Sequence, residues 1–243
     1  MGVGAVRTRT AGEPNPGRVA TTAVAAVCSA ILATVGVSRC GYLTDHHIEN
    51  DATITGHVQS LRIDNPAGQV VVHAADTGGS VVVHRDIDYH SDRPPTPGQS
   101  VTAGVLRLTA DCDGCGIAYD VTVPPSVAVT VIDGAGAVTV TGVAGPIDVT
   151  DSAGHVEGRD LRAPSVHVEA SAGAIELTFA APPNDVIAHS DAGEVTVAVP
   201  SGTYSVEAST KTGARTVDIP NDPSAPRHVK VSSNAGAVSV TEA

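Results

Sequence analysis

Hydrophobic and polar positions alternate along most of the chain after residue 60, in pairs of short segments separated by a glycine. Residues 61–72 and 129–140 share one arrangement: two alternating apolar positions, then a glycine seven residues after the first, then two further alternating apolar positions. Successive side chains of a β-strand point to opposite faces. Each pair of segments therefore predicts two short strands with one apolar face, joined by a corner.

The arrangement occurs seven times, with these glycines at the corners: Gly68, Gly136, Gly154, Gly173, Gly193, Gly213 and Gly236. From Gly136 onward, successive glycines are 18, 19, 20, 20 and 23 residues apart. A repeat this short cannot bury its apolar face alone, whereas stacked repeats share one continuous interior. The sequence therefore predicts an all-β fold, a single-stranded β-solenoid (parallel β-helix) of 18–20-residue rungs over residues 126–243, with the glycines as structural corner residues.

An antiparallel β-sandwich is the alternative, because it also has short strands at even spacing. The fixed position of the glycine and the near-constant repeat length favour the solenoid. Arg215 departs from the pattern, since it stands where Val or Ile is expected. Residues 61–125 hold the first repeat and less regular strands, which we expect to form a flank or cap, because an open sheet edge invites aggregation unless it is covered.

Residues 19–37 contain no charge and are bracketed by Arg18 and Arg39. As a helix they would be about 28 Å long, close to the hydrocarbon core of a bilayer. The basic residues before them predict a cytoplasmic segment 1–18, a transmembrane or signal helix at 19–37, a juxtamembrane linker and first strand at 38–60, and an extracytoplasmic remainder.

Three kinds of processing are open for this segment. An uncleaved single-pass anchor in the cytoplasmic membrane is favoured over a cleaved secretory signal, because the apolar run exceeds the 7–15 residues of a signal-peptide core. A lipoprotein signal is the third possibility, since Cys40 follows the apolar stretch. Arg39 stands where that signal requires a small residue.

The charge of the chain changes what it can bind. Net charge is −12, and residues 1–39 carry four Arg and one Glu, so the remainder carries about −15. A surface this negative repels phosphate backbones, which argues against a nucleic-acid partner.

Aromatic residues make up 2% of the chain, so that the core must consist of small and β-branched side chains. The two lysines among 14 basic residues are typical of GC-rich genomes and favour an actinobacterial source.

Cys112 and Cys115 form a CxxC motif, which can be a redox pair, half of a zinc site or a small disulfide loop. A redox pair needs a helix start to lower the thiol pKa, whereas strand-like segments flank this motif. A zinc site needs two further ligands, and no second CxxC or spaced His pair is nearby. In an oxidising compartment the motif predicts a disulfide.

The parts occur in this order: a basic start, an apolar segment, a variable strand region ending in Tyr119-Asp-Val-Thr-Val-Pro124, and Val-x-Val-x-x-x-x-Gly-x-Val repeats to the C-terminus. This order resembles the bacterial putative-adhesin family over residues 50–243. The resemblance implies an extracytoplasmic β-helix without a known biochemical activity.

A carbohydrate-active β-helix enzyme, a polysaccharide lyase or hydrolase, is the alternative function. Such a site needs converging acid and base groups and aromatic platforms for sugars. The few aromatic residues are scattered, and Asp133, Asp151 and Asp191 follow turns, where local capping explains them. A calcium site of stacked turn acids is disfavoured, because later repeats offer other residues instead: Ala170, Ser190 and Ser209.

If the repeats stack in register, His167 lies beside Asp148 and Ile187, which makes no metal set of three. We therefore expect no catalytic residue, no metal and no cofactor. The sequence predicts a non-catalytic cell-envelope surface module that binds or senses an unknown envelope protein or glycan.

Overall fold

The structure is a computed structural model that describes residues 46–90, 93–110 and 115–243. It confirms the all-β prediction, since these residues form nineteen strands and no helix. The strands are β1 His46–Ile54, β2 Ser60–Asn65, β3 Val70–Ala74, β4 Val81–Tyr89, β5 Gly98–Thr102, β6 Val105–Thr109, β7 Cys115–Val123, β8 Ala128–Asp133, β9 Val138–Thr141, β10 Ile147–Ala153, β11 Val156–Leu161, β12 Ser165–Ala172, β13 Ile175–Phe179, β14 Asp185–Ala192, β15 Val195–Val199, β16 Ser205–Thr212, β17 Arg215–Val217, β18 His228–Ala235 and β19 Val238–Glu242.

The N-terminal predictions concern residues outside this part of the chain. The apolar segment 19–37 and Cys40 both lie outside the described residues. Within the described ranges, no helix has the length and apolar character needed to cross a bilayer.

The strands form one ten-stranded and one nine-stranded sheet, and most neighbouring strands are parallel. Eight successive strand pairs alternate between the sheets: β2/β3, β6/β7, β8/β9, β10/β11, β12/β13, β14/β15, β16/β17 and β18/β19. In each pair the first strand belongs to the nine-stranded sheet and the second to the ten-stranded sheet. We call each pair a repeat.

Neighbouring repeats stack in register. Ile147 pairs with Val129 on one side and with Val166 on the other, so that like positions lie above one another. Val166 and Val168 are each 1% exposed and belong to one hydrophobic core, whereas the His167 side chain between them is 41% exposed. The alternation along each strand therefore separates an apolar interior from a polar outer face.

The order of stacking differs from the order along the chain at two places. The repeat β6/β7 pairs outside β2/β3 and adds a repeat to the seven identified in the sequence. At the other end β18/β19 lies between β14/β15 and β16/β17, so that the seventh copy of the pattern separates the fifth from the sixth. We call β16/β17 the terminal repeat.

The terminal repeat covers its own open edge with polar groups. The Arg215 guanidinium, at the position where an apolar residue is expected, donates from Nε to the carbonyl oxygen of Ala208 at 2.8 Å. Asn221 accepts a hydrogen bond from the backbone N–H of Val206 at 2.9 Å and donates to its carbonyl oxygen at 3.1 Å. These contacts satisfy backbone groups that another strand would otherwise pair, which protects an edge against aggregation.

The opposite end is covered by antiparallel strands. Strands β1 and β4 extend the ten-stranded sheet beyond β7, and β5 extends the nine-stranded sheet beyond β6. Arg85 on β4 is 3% exposed and donates to the side chains of Asn50 and Gln99. Its guanidinium also lies 5.8 Å from the centre of the Tyr119 ring, a cation–π contact. Arg85 therefore joins the two edge extensions across the interior.

Candidate functional site

The seven corner glycines lie in one column. A Cβ atom at Gly154 would overlap the carbonyl oxygen of Gly136, and one at Gly173 would overlap the carbonyl oxygen of Gly154. The same overlap recurs up to the terminal repeat, where Gly213 meets Gly236. Only some of these glycines have a positive φ, such as Gly173 at +143°. The close approach of neighbouring backbones, rather than a shared left-handed conformation, is the reason for glycine at every corner.

A second column lies on the inner side of the same corner, at the position three residues before each glycine. Its members in stacking order are Asn65, Asp133, Asp151, Ala170, Ser190, Ser233 and Thr210. We call this set the inward polar column. The Ser190 and Ser233 hydroxyls donate to the carbonyl oxygens of Gly173 at 2.9 Å and Gly193 at 2.8 Å.

Asp133 and Asp151 correct the expectation that turn capping explains these acids. Both residues are 1% exposed and lie in register on adjacent strands. Burial, with the nearby Asp151 charge, raises the pKa of Asp133 to about 6, although the Asn65 amide lowers it. Burial also raises the pKa of Asp151, and the nearby backbone N–H groups of Ala153 and Ser152 lower it in part. Neither N–H group forms a hydrogen bond of ordinary geometry with the carboxylate.

Asp191, the third turn acid, lies outside this column. It is exposed and accepts hydrogen bonds from His189 at 3.2 Å and Asn234 at 2.5 Å. The inward direction of Asp133 could have been predicted from the sequence, because Asp133 continues the alternation of the inward residues Val129 and Val131 along β8.

The outer face of the ten-stranded sheet carries a group of acids and histidines near the antiparallel end. We call it the histidine–carboxylate patch, and its members are His47, Glu49, Asp51, His73, His84, Asp86, Asp88 and Asp120. A hydrogen bond to Asp88, with the charge of Asp86, raises the pKa of His47. A hydrogen bond to Asp51 raises the pKa of His84. The patch therefore becomes less negative as these imidazoles gain protons.

The outer face of the nine-stranded sheet mixes charged and apolar groups. His167 lies between Asp148 and Ile187, as the sequence predicted, and its imidazole is 3.8 Å from the Asp148 carboxylate. Asp64 accepts from Arg62 and Arg107 at 2.9 and 2.6 Å. These ion pairs lie at the surface and add little stability.

Two clusters of three side chains could hold a metal ion among the described residues. His47, Asp86 and Asp88 form one, and His155, Glu157 and Glu176 form the other, each with ligand atoms within 4.8 Å of one another. Glu157 is already paired with Arg159 at 2.5 Å. The pairing of β1 with β4, which forms the first cluster, has no signal in the repeat pattern. The second could have been predicted, because in-register stacking places Glu157 beside Glu176.

Cys115 opens β7 and is disulfide-bonded. Cys112, its predicted partner, lies outside the described residues, so that the pairing of these two cysteines stays a prediction.

Three solved bacterial structures are similar to this chain. A putative cell adhesion protein from Clostridium sporogenes ATCC 15579 has 11% sequence identity and a TM-score of 0.53, with 82% of this chain and 100% of that chain covered. A putative adhesin from Bacteroides fragilis NCTC 9343 has 14% identity and a TM-score of 0.47, with 83% and 99% covered. A putative adhesin from Parabacteroides merdae ATCC 43184 has 12% identity and a TM-score of 0.27, with 79% and 95% covered.

No protein-family model matches the sequence, and no curated protein matches it. The likeness to the Clostridium sporogenes structure therefore concerns the fold. At that level the resemblance to bacterial putative adhesins is confirmed: the chain has the fold of a solved putative cell adhesion protein.

Proposed function

We propose that the chain is a non-catalytic surface module of the cell envelope, which contacts an envelope protein or glycan through the outer face of a sheet. The observation that carries this proposal is the outer face of the ten-stranded sheet, where polar side chains recur in register from repeat to repeat and carboxylates and histidines cluster at one end. A regular face of this kind suits many weak contacts with another macromolecule. The fold shared with a putative cell adhesion protein is compatible with it.

The two sheets are proposed to be the faces of one β-solenoid. Each repeat contributes one strand to each sheet, and the parallel pairing in both sheets follows the same stacking order. The backbone N–H of a corner glycine donates to the next repeat, as from Gly154 to Ala172 at 3.0 Å and from Gly173 to Ala192 at 2.9 Å. Hydrogen bonding therefore continues around this corner between the two sheets, which is the expected arrangement of a coil.

The module is proposed to stand at the outer face of the cytoplasmic membrane. Residues 19–37 would anchor it, with 1–18 in the cytoplasm, 38–60 as linker and first strand, 61–125 as first repeat and cap, and 126–243 as further repeats. Protease added to intact spheroplasts should then digest the repeats. Protection of the full-length chain would reverse this topology, and an acylated Cys40 would replace the anchor by a lipoprotein signal.

The CxxC motif is proposed to close a small disulfide loop between Cys112 and Cys115. Mass analysis of non-reduced peptides from the exported protein should find this link. Two alkylatable thiols at these positions would contradict it.

The histidine–carboxylate patch is the part of the surface that we propose contacts the partner. It concentrates five carboxylates on one end of the ten-stranded face, which favours a partner with basic or hydrogen-bond-donating groups. A partner protein or glycan of this chemistry would bind less tightly when acids of the patch are reversed in charge.

A charge-reversal experiment tests this assignment. The full-length chain in mild detergent is bound to separated envelope fractions, with peptidoglycan and membrane proteins as separate probes. We expect Asp51→Lys with Asp120→Lys to lose at least tenfold in affinity. Asp148→Lys with Glu169→Lys, which changes the same charge on the nine-stranded face, should retain binding. Equal loss from both variants would mean a non-specific charge effect.

The enzyme alternative has its own readout. The full-length chain is incubated with peptidoglycan and a panel of polysaccharides, and new reducing ends or unsaturated products are measured. Turnover that disappears when one outward Asp or Arg is changed would overthrow the surface-module proposal.

A further inference from the structure

The inward polar column changes its hydrogen-bonding character along its length. In the half nearest the terminal repeat, the hydroxyls of Ser190, Ser233 and Thr210 each donate to a glycine carbonyl oxygen of the adjoining repeat. In the other half, four buried acceptor atoms have no partner: Oδ1 of Asn65, Oδ2 of Asp133, and both carboxylate oxygens of Asp151. Three consecutive repeats therefore collect oxygen atoms without donors.

These three side chains are almost completely removed from solvent. Asn65 is 2% exposed, and Asp133 and Asp151 are each 1% exposed. They occupy matching positions on β2, β8 and β10. The Asn65 amide donates to Asp133 Oδ1 at 3.1 Å, which is the one side-chain hydrogen bond that joins them. Two buried carboxylates side by side are costly unless a counter-charge or protons neutralise them.

A cavity borders two members of this group, Asn65 and Asp133. It has a volume of about 550 Å³, and Asp151 is not part of its lining, although the neighbouring Ser152 is. Arg107 also lines it, and its guanidinium is paired with Asp64 at 2.6 Å. A small ion and several water molecules fit in such a volume. The cavity therefore adjoins the part of the column where acceptors lack donors, at Asn65 and Asp133.

We propose that Asn65, Asp133 and Asp151 bind one divalent cation of the calcium type. Two carboxylates balance its charge, and carboxylate and amide oxygens are the ligands that calcium prefers. Calcium also accepts an irregular set of six to eight oxygens, which backbone carbonyls and water from the cavity would complete. Magnesium fits less well, because it demands near-octahedral geometry and keeps its water.

The cation would tie three repeats together. β2/β3, β8/β9 and β10/β11 each contribute one ligand, and Ala170 in the next repeat ends the set. This cation links the repeats next to the antiparallel end to the remainder of the stack. It stabilises the folded chain by an amount that grows with the logarithm of its concentration above Kd, because the unfolded chain cannot hold the three ligands together.

The test compares the full-length protein in mild detergent with the double variant Asp133→Asn and Asp151→Asn. The variant keeps the shape of both side chains and matches Asn65, so that we expect it to fold. After treatment with EDTA, wild type should melt at a lower temperature than the variant, because its carboxylates repel each other. Saturating CaCl₂ should raise the melting temperature of wild type by at least about 5 °C and leave the variant unchanged. Calorimetric titration should find one calcium ion per chain that the variant does not bind.

Two controls make the result decisive. Asp148→Asn removes an exposed carboxylate from the same strand as Asp151 and should keep the full calcium effect. Glu157→Gln removes a member of the partly buried cluster with His155 and Glu176, and should also keep the full calcium effect. An equal calcium shift in wild type and the double variant would place the ion elsewhere and overturn the proposal. So would an absence of any shift up to 10 mM calcium, which would leave protons to neutralise the pair.

Discussion

The central repeats and the terminal repeat follow one sequence pattern, yet they bury it to different degrees. We take β10/β11, β12/β13 and β14/β15 as the central repeats. Val168 in the centre is 1% exposed, whereas Ala208, at the matching position of the terminal repeat, is only partly buried. A central repeat has neighbours on both sides and the terminal repeat on one. The sequence pattern specifies which side chains point inward. The number of neighbouring repeats determines how far these side chains are buried, and therefore how much they stabilise the fold.

The largest expected effect comes from a charge placed in the interior. Val168→Asp should lower the free energy of unfolding by several kcal/mol, because it buries an unpaired carboxylate. Ala208→Asp makes the same charge at the matching position of the terminal repeat, and should cost less than about 1 kcal/mol, since water reaches it. Urea unfolding of the full-length protein measures both.

His167→Asp is the control for strand direction. It adds a carboxylate next to Val168 but on the outer face, and should change stability by no more than about 0.5 kcal/mol. Equal losses for Val168→Asp and His167→Asp would mean that the inward and outward assignment is wrong.

A methyl group in the glycine column should have the next largest effect. Gly173→Ala places a Cβ on the carbonyl oxygen of Gly154, at a φ of +143° that side chains rarely adopt, and should cost about 3 kcal/mol. Gly213→Ala makes the same overlap with Gly236 in the terminal repeat. It should cost less, because among the described residues no repeat packs outside β16/β17 and the backbone can move outward. Thermal unfolding of the two variants measures the difference, and equal costs would show that the column is rigid to its end.

The strand pairs and their inward faces could be predicted, because the residue type at each position indicates whether that position faces inward or forms a corner. Alternating Val and Ile show the inward face, and glycine shows the corner. The repeat β6/β7 was not predicted, because the segment between its two strands is longer. Leu106 and Tyr119 are 13 positions apart, whereas their partners Leu61 and Val70 are 9 apart. The glycine seven residues after the first apolar position is therefore missing.

The order of the last two repeats could not be predicted, because every copy of the pattern fits next to every other. One signal was present. Arg215 at an inward position indicates that this face is open to water, as it is in the terminal repeat. The cavity and the half of the inward polar column without donors form where particular repeats lie next to each other. They could not be predicted, because the sequence of one repeat does not show which repeat will lie beside it.

The pH dependence of stability should have opposite signs at the buried Asp133, in the repeat next to the central repeats, and at the exposed Asp222 near the terminal repeat. The folded pKa of Asp133 is raised to about 6 by burial, so that the folded protein binds this proton more tightly than the unfolded chain. Its contribution to stability is therefore full below about pH 4 and is lost as the pH rises towards 6. A hydrogen bond from the Ser224 hydroxyl lowers the pKa of the exposed Asp222 near the terminal repeat, so that its small contribution is lost as the pH falls.

Melting curves of the full-length protein in EDTA between pH 5 and 7.5 measure the effect of the buried carboxylates. The free energy of unfolding of wild type should rise between pH 7.5 and pH 5. This rise should exceed that of the double variant Asp133→Asn and Asp151→Asn by about 2 kcal/mol. His47 and His84 act in the same direction, because their folded pKa values are raised, but they are present in both proteins. A variant that keeps the full pH dependence of wild type would assign it to the histidines.

The smallest expected effect concerns the hydroxyls of the inward polar column. Ser190 is fully buried, and its hydroxyl donates to the carbonyl oxygen of Gly173, so that Ser190→Ala should cost about 1 kcal/mol. Thr210 makes the matching bond to Gly236 at 2.8 Å in the terminal repeat, but it is only partly buried, and water can replace its hydroxyl. Thr210→Ala should therefore cost less than about 0.5 kcal/mol. Urea unfolding of both variants measures the pair, and a larger loss at Thr210 would mean that the terminal repeat is held by its own polar contacts rather than by its neighbour.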